Sequence, residues 1–210
     1  MKTIAVADDH ALFRKMLIQL IELSSDWKVI MEAQNGEELL HQLNTTDTYP
    51  DIILMDILMP VMDGKEATSF IQIHYPEIKI IALSALMHDH VILDMLRRGA
   101  SGFITKQIEP EKLIIAIDTV MNKGIYIEEG LCENYSFINH PKFEKPILSD
   151  KQITFLKLCT SDKPYKEIAD IMNISPNTAD SYREELFRKL NIKTRQGLAI
   201  YAFKAGLSVL

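Results

Sequence analysis

Cysteine is scarce in this 210-residue chain. Cys132 and Cys159 are too few and too far apart for a disulfide scaffold or a cysteine-ligated metal cluster, and each is expected to be a plain core or linker thiol. Long hydrophobic runs are absent as well. The longest apolar stretches, such as Ile52 to Met55 and Ile78 to Leu83, are strand-length and broken by Asp, Lys or Ser, far short of a bilayer span. The chain begins Met-Lys-Thr-Ile and enters an apolar segment directly, with no longer leader and cleavage site. A cytoplasmic protein with no membrane partner is therefore expected. Positive charge is short too: the formal net charge of -6 does not by itself suggest nucleic-acid binding. It is unevenly spread, however. From Lys142 onward Lys and Arg outnumber Asp and Glu by four, so the C-terminal third is mildly basic and the rest clearly acidic.

What is present is an ordinary globular composition, 47% apolar and 25% charged, over a length that suits two modest domains. Five short segments rich in Ile, Val and Ala read as strands: Thr3 to Ala7, Lys28 to Ala33, Asp51 to Met55, Lys79 to Leu83 and Gly102 to Ile104. Stretches of helical period separate them. These run from Ala11 to Leu23 on Leu12, Met16, Leu20 and Leu23, from Gly36 to Leu43 on Leu39, Leu40 and Leu43, then Lys65 to His74, His88 to Arg97 and Pro110 to Met121. Strict alternation of this kind predicts an α/β fold, a doubly wound parallel sheet of five strands. Because crossovers are right-handed, the loops that follow the strands gather at one sheet edge, where such folds bind ligands.

The rhythm breaks over residues 122–147, a linker by composition, which divides the chain into domains at 1–121 and 148–210. Ser149-Asp-Lys-Gln152 is a capping-box pattern that opens a helix to about Cys159, and a second helix lies near Tyr165 to Met172. Ser175 as N-cap and Pro176 as first helical residue open a third, to about Leu190, and a fourth runs from about Thr194 to Ala205. Two short helices, a tight turn and a third helix predict an all-α helix-turn-helix domain of four helices.

The chemistry lies at the strand ends. Asp8 and Asp9 follow the first strand, Asp56 the third, Ser84 the fourth and Lys106 the fifth, so all converge on one edge. Crowded carboxylates repel one another, and the cluster makes sense when a hard divalent cation such as Mg²⁺ bridges it through oxygen ligands. Asp56 would then attack phosphorus to form an acyl phosphate, with Lys106 and the Ser84 hydroxyl holding the transferred oxygens. This set, with Pro60 and Asp63-Gly64 closing the loop after Asp56, resembles the receiver domains of two-component signalling over about Lys2 to Met121.

The resemblance implies a flavodoxin-like strand order 2-1-3-4-5 and a sensor histidine kinase that phosphorylates Asp56. It also implies Mg²⁺ held by Asp8, Asp9, Asp56 and the Leu58 backbone carbonyl. Phe103 stands where receivers carry an aromatic that swings inward with the Ser or Thr, here Ser84. Such a protein is a phosphoryl acceptor and slow self-phosphatase, not a multiple-turnover enzyme. The apolar Leu58 and Leu86 beside the site are expected to restrict the attacking water.

Two other readings of these residues fail. A transition-metal site on His10, or on His88-Asp89-His90, has no Cys or further His to complete it. A phosphatase of the haloacid dehalogenase type needs a second Asp two residues after the nucleophile, and that position is Leu58.

Leu148-Ser149 with Gln152, Lys166-Glu167-Ile168-Ala169, Ile174-Ser175-Pro176-Asn177-Thr178, Arg183, Lys189-Leu190-Asn191-Ile192, Arg195 and Ala205-Gly206-Leu207 together resemble the LuxR/NarL type of DNA-binding domain. The resemblance implies double-stranded promoter DNA as partner, a homodimer formed on phosphorylation and a third helix in the major groove. The apolar stripe Ala179, Tyr182, Leu186 and Leu190 would pack inward, leaving Asn177, Asp180, Ser181, Glu184 and Arg188 outward. Thr178 also lies in the half that reads bases. Lys166, Arg183, Arg188, Lys189, Lys193 and Arg195 supply cations for phosphates. Asp180 departs from the family, which commonly has a basic residue there, and with Glu184 it raises an alternative in which the third helix meets a protein partner instead of DNA.

Overall fold

The structure, a computed structural model, describes residues 2–24, 26–85, 89–128 and 146–207. The chain forms two compact units, Met1–Leu131 and Cys132–Leu210. In the first, strands β1 (Lys2–Ala7), β2 (Trp27–Ala33), β3 (Ile52–Asp56), β4 (Lys79–Ser84), β5 (Gly102–Thr105) and β6 (Tyr126–Ile127) alternate with helices α1 (Ala11–Glu22), α2 (Gly36–Thr45), α3 (Gly64–His74), α4 (Asp89–Arg97) and α5 (Pro110–Lys123). The strands are parallel, in the order β2-β1-β3-β4-β5-β6. The chain therefore reverses direction across the sheet between β1 and β3, the switch point at which doubly wound folds open their crevice.

Both faces of the sheet are covered, which is why β3 reads as a continuous apolar run. Ile4, Val6, Ile52, Leu54, Ile81 and Leu83 face one side with Leu17 and Ile21 of α1 and Leu113, Ala116, Ile117 and Val120 of α5. Ala5, Ala7, Ile53, Met55 and Ile80 face the other with Leu39, Leu40 and Leu43 of α2 and Ala67 and Ile71 of α3. The period expected for α1 is corrected here. Leu12, Met16 and Leu23 are exposed, and Leu17 and Ile21 are buried, with Phe13, Ile18 and Leu20 partly so. Apolar residues occupy most of this helix surface, so one stripe could not be told from its neighbour by spacing alone.

Among the described residues the sheet has six strands rather than five. Gly124, at φ 84, caps α5 in the left-handed conformation. The chain then lies along β5, with Tyr126 N–H donating to Ser101 O (3.1 Å) and Glu128 N–H to Phe103 O (3.0 Å). This short strand pairs with groups that β5 would otherwise leave open as an edge. The sheet unit thus continues past Met121 into the stretch read as linker. Cys132 lies outside the described residues.

Among its described residues the second unit is all-α: α6 (Asp150–Cys159), α7 (Tyr165–Ile171), α8 (Pro176–Leu190) and α9 (Arg195–Lys204). The Ser149 and Gln152 capping box forms in both directions. Asn173, at φ 51, makes the tight turn after α7, and Ser175 caps α8 by accepting from Thr178 N–H. Ala179, Leu186 and Leu190 are buried beneath α8, with Cys159, whose thiol burial pushes up to about 12. Among the described residues no helix is long and apolar enough to cross a membrane.

Candidate phosphoryl site and nucleic-acid interface

The C-terminal ends of β1, β3 and β5 bring Asp8, Asp56 and Lys106 into contact. Asp8 and Asp56 are buried, and the Lys106 ammonium lies 2.7 Å from Asp56 Oδ2 and 2.8 Å from Asp8 Oδ2. Asp8 Oδ1 accepts from His10 N–H (2.8 Å), and the Arg14 guanidinium donates to the Asp8 carbonyl (2.5 Å). Asp9 is exposed and pairs with His10 Nδ1 at 2.8 Å. Burial pushes the Asp56 carboxyl above the usual carboxylate range; the Lys106 hydrogen bond opposes this and the Asp8 charge adds to it. For Lys106 desolvation acts downward, and the two carboxylates outweigh it and hold the ammonium above its ordinary value.

Ser84 is buried at the end of β4, and its carbonyl accepts from Lys106 N–H at 2.9 Å, which locks the ends of β4 and β5 together. Phe103 is fully buried. The loop after Asp56 is tightly drawn: Leu58 N–H reaches Asp56 Oδ1 at 3.4 Å, and Met62 N–H donates to Pro60 O at 2.8 Å around Val61, which takes φ 68. A positive φ at a β-branched residue is strained and persists only where the surroundings impose it. Gly64 closes the same loop without a side chain, and a Cβ there would meet the Asp56 carbonyl oxygen at 2.0 Å. Leu58 is exposed beside the site, and Leu86, paired with it in the expectation above, lies outside the described residues, as does His88.

Ligand atoms of Asp8, Asp9, His10 and Asp56 lie within 4.8 Å of one another. Asp8 Oδ2 is buried and has no hydrogen bond of ordinary geometry, only the Lys106 ion pair. A crowded, oxygen-rich donor set with one under-satisfied buried oxygen suits a hard divalent cation. Spacing did not disclose Arg14 or Glu128, whose carboxylate accepts from Thr105 N–H (2.6 Å) one residue before Lys106. Nothing in a sequence marks an exposed-looking carboxylate as the partner of a strand amide.

In the helical unit, Asn177, Asp180, Ser181, Glu184, Arg188, Lys189, Lys166 and Lys193 are exposed. Thr178 is partly buried and its hydroxyl lies 2.8 Å from that of Ser175. Arg183 Nη1 contacts Asp180 Oδ1 at 2.7 Å and Nη2 lies 3.6 Å from Glu184 Oε1, with the guanidinium 5.5 Å above the Tyr165 ring. Arg195 stands 4.9 Å over the same ring and donates to the carbonyls of Ser161 and Lys163. Lys189 Nζ bonds Gln152 Oε1 (3.1 Å), and Gln152 Nε2 bonds Glu185 Oε2 (2.7 Å). Asn177, Asp180, Ser181, Glu184 and Arg188 thus lie outward and Ala179, Leu186 and Leu190 inward as the spacing put them, while Tyr182 of the same stripe is only partly buried and Arg183, Lys189 and Arg195 are engaged within the unit.

The sequence matches the family model of the response regulator receiver domain over residues 4–118, and that of the bacterial regulatory proteins of the luxR family over residues 146–202. This chain is a two-component response regulator of the LuxR family. It is 30% identical to the response regulator UvrY of Escherichia coli strain K12 over 211 residues, which cover 99% of this chain and 96% of that protein. To the oxygen regulatory protein NreC of Staphylococcus haemolyticus it is 29% identical, over 97% of this chain and 98% of that one. A solved LuxR-family response regulator from Aurantimonas sp. SI85-9A1 is similar to 61% of this chain and 89% of its own, at 29% identity and a TM-score of 0.56. The fold also matches RcsB from Salmonella enterica serovar Typhimurium bound to promoter rprA with the phosphomimetic BeF3-. There the TM-score is 0.57 at 23% identity, over 98% of this chain and 100% of that one. The response regulator joins a receiver domain to a LuxR-type DNA-binding domain, the composition of a transcriptional regulator.

Proposed function

We propose that Asp56 is the phosphoacceptor of this transcriptional regulator and that its phosphorylation controls binding of the second unit to promoter DNA. The observation that carries the reading is Lys106, whose ammonium touches both Asp56 and Asp8. An Asp56 oxygen attacks the phosphorus of a phosphohistidine on a sensor kinase, the P–N bond breaks and the imidazole leaves with the electron pair. Lys106 holds a phosphoryl oxygen, and the Ser84 hydroxyl, at the end of β4, takes another. Asp8, Asp9, Asp56 and the Leu58 carbonyl would hold Mg²⁺, which when bound supplies charge neutralisation for the entering oxygens. Phe103 and Ser84 carry the change to the sheet face. The protein works in the cytoplasm as an acceptor that loses its phosphoryl group slowly, not as a turnover enzyme.

In the second unit α8 enters the major groove, with Asn177, Thr178, Asp180, Ser181 and Glu184 nearest the bases and Lys166, Arg188 and Lys193 nearest phosphates. Arg183, Lys189 and Arg195 contribute to the same surface while bonded within the unit. Phosphorylation pairs two copies, so that two weakly basic heads act on paired half-sites. The phosphoacceptor is tested by incubating the full chain with acetyl phosphate and Mg²⁺ and measuring the intact mass. Wild type gains one phosphoryl group and Asp56→Asn none; an equal gain in both contradicts the assignment.

A further inference from the structure

The recognition surface of α8 carries an unusual chemistry. Over Pro176 to Glu184 the exposed side chains are Pro176, Asn177, Asp180, Ser181 and Glu184. Ser181 spends its hydroxyl proton on the Asn177 carbonyl at 3.0 Å. Asp180 and Glu184, when ionised, offer acceptors alone. The guanidinium in this stretch, Arg183, does not offset that outwardly: it lies against Tyr165 and is committed to Asp180 and, at longer range, Glu184. Arg183 thereby fixes Asp180 through Oδ1, while the Asp180 side chain stays 51% exposed.

We propose that Asp180 is a specificity-determining residue that accepts a hydrogen bond from the N4 amino group of cytosine in the major groove. The inference rests on the DNA-binding reading above and names the base it selects. Guanine presents two acceptors at that edge and thymine one, so a carboxylate repels both. Adenine sets an acceptor beside its amino group. Cytosine presents its amino donor alone, and Asp or Glu is the side chain that suits it. Arg183, held by the Tyr165 ring, is the positioning residue: it orients the carboxylate and offsets part of its repulsion from the phosphates.

The test is selection from a randomised duplex library with full-length protein, Mg²⁺ and beryllofluoride, for wild type, Asp180→Ala and Asp180→Asn. Wild type is expected to demand cytosine at one position of each half-site, by a factor on the order of 5 to 150. Asp180→Ala flattens that position alone, and Asp180→Asn moves it toward adenine. Binding of Asp180→Ala to a duplex of unrelated sequence tightens at the same time, because a negative charge near the phosphates is gone. That opposition separates a reading residue from a solvated one, whose removal would tighten binding to every sequence alike. Melting curves unchanged in both variants exclude misfolding, as expected for an exposed ion pair. Retention of the cytosine preference in Asp180→Ala overturns the proposal and leaves DNA binding standing. Failure of wild type to bind or enrich any duplex overturns the DNA-binding reading itself, and the proposal with it.

Discussion

Lys106 Nζ stands 2.7 Å from Asp56 Oδ2, joining the end of β5 to the end of β3, and the same ammonium reaches Asp8 at 2.8 Å. One cation thus shares two buried carboxylates, an arrangement that leaves negative charge in excess. A divalent cation arriving at Asp8 would offset that charge and leave Lys106 to hold a phosphoryl oxygen arriving at Asp56. Stability, metal binding and phosphorylation are therefore expected to be coupled through this one contact.

The Asp56 carboxyl is raised above its ordinary value of 3.8. As pH climbs from there through the raised value, the folded protein keeps a proton that the unfolded chain has released, so stability falls. Asp56→Asn has no such proton to lose. In the absence of Mg²⁺ the variant is expected to melt above wild type at neutral pH, by about 2–8 °C for each kcal/mol gained, and the gap closes below pH 3.8. A pH series of melting curves on both proteins checks it, and a gap that widens on acidification would refute the assignment.

Chelation has the complementary effect. Mg²⁺ at about 100 times its dissociation constant stabilises a single-site protein by about 2.7 kcal/mol. Wild type should therefore gain stability on Mg²⁺ addition and lose it with EDTA, while Asp8→Asn responds far less. An equal response in the two places the ion elsewhere.

Gly64 packs its α-carbon against the Asp56 carbonyl, where a Cβ would stand 2.0 Å from the oxygen. The obstacle is backbone on both sides and cannot rotate away. Gly64→Ala is expected to cost about 1–3 kcal/mol, as overpacking does. Phosphorylation by acetyl phosphate should fall with it, since the loop carrying Leu58 must shift. Urea unfolding and intact-mass measurements on the variant read both effects.

Arg195 and Lys193 both carry charge near the recognition surface but do different work. Arg195 is bonded to two carbonyls and stacked on Tyr165, so Arg195→Ala should destabilise the helical unit by about 1.5–3 kcal/mol, the range for hydrogen bonds of charged groups. Lys193 is exposed; Lys193→Ala should leave the melting temperature alone and reduce the salt slope of DNA binding by about 1. Melting curves and salt titrations of the two variants separate a structural cation from a phosphate contact.

The site was legible in the sequence because its residues fall at the ends of apolar runs, and strand ends of a parallel sheet meet at one edge. Asp8, Asp56 and Lys106 needed no more than that. The inward stripe of α8 was legible because Ala179, Leu186 and Leu190 stand among polar neighbours. The stripe of α1 was not, since Leu12, Phe13, Met16, Leu17, Leu20 and Ile21 surround the helix with apolar surface and only packing chooses among them. Strand β6 was hidden for another reason: two residues carry too little alternation to register, and its existence follows from the open edge of β5. The inward commitments of Arg183, Lys189 and Arg195 were equally hidden, because a cation's partner depends on tertiary neighbours such as Tyr165 and Gln152.

The most direct test of phosphorylation control is equilibrium binding of the full chain to DNA from its own upstream region, at two salt concentrations, with and without Mg²⁺ and beryllofluoride, for wild type and Asp56→Asn. Saturable, salt-sensitive binding that tightens with beryllofluoride in wild type alone is the expected result. Equal affinity with and without beryllofluoride, or tightening that survives in Asp56→Asn, would contradict it.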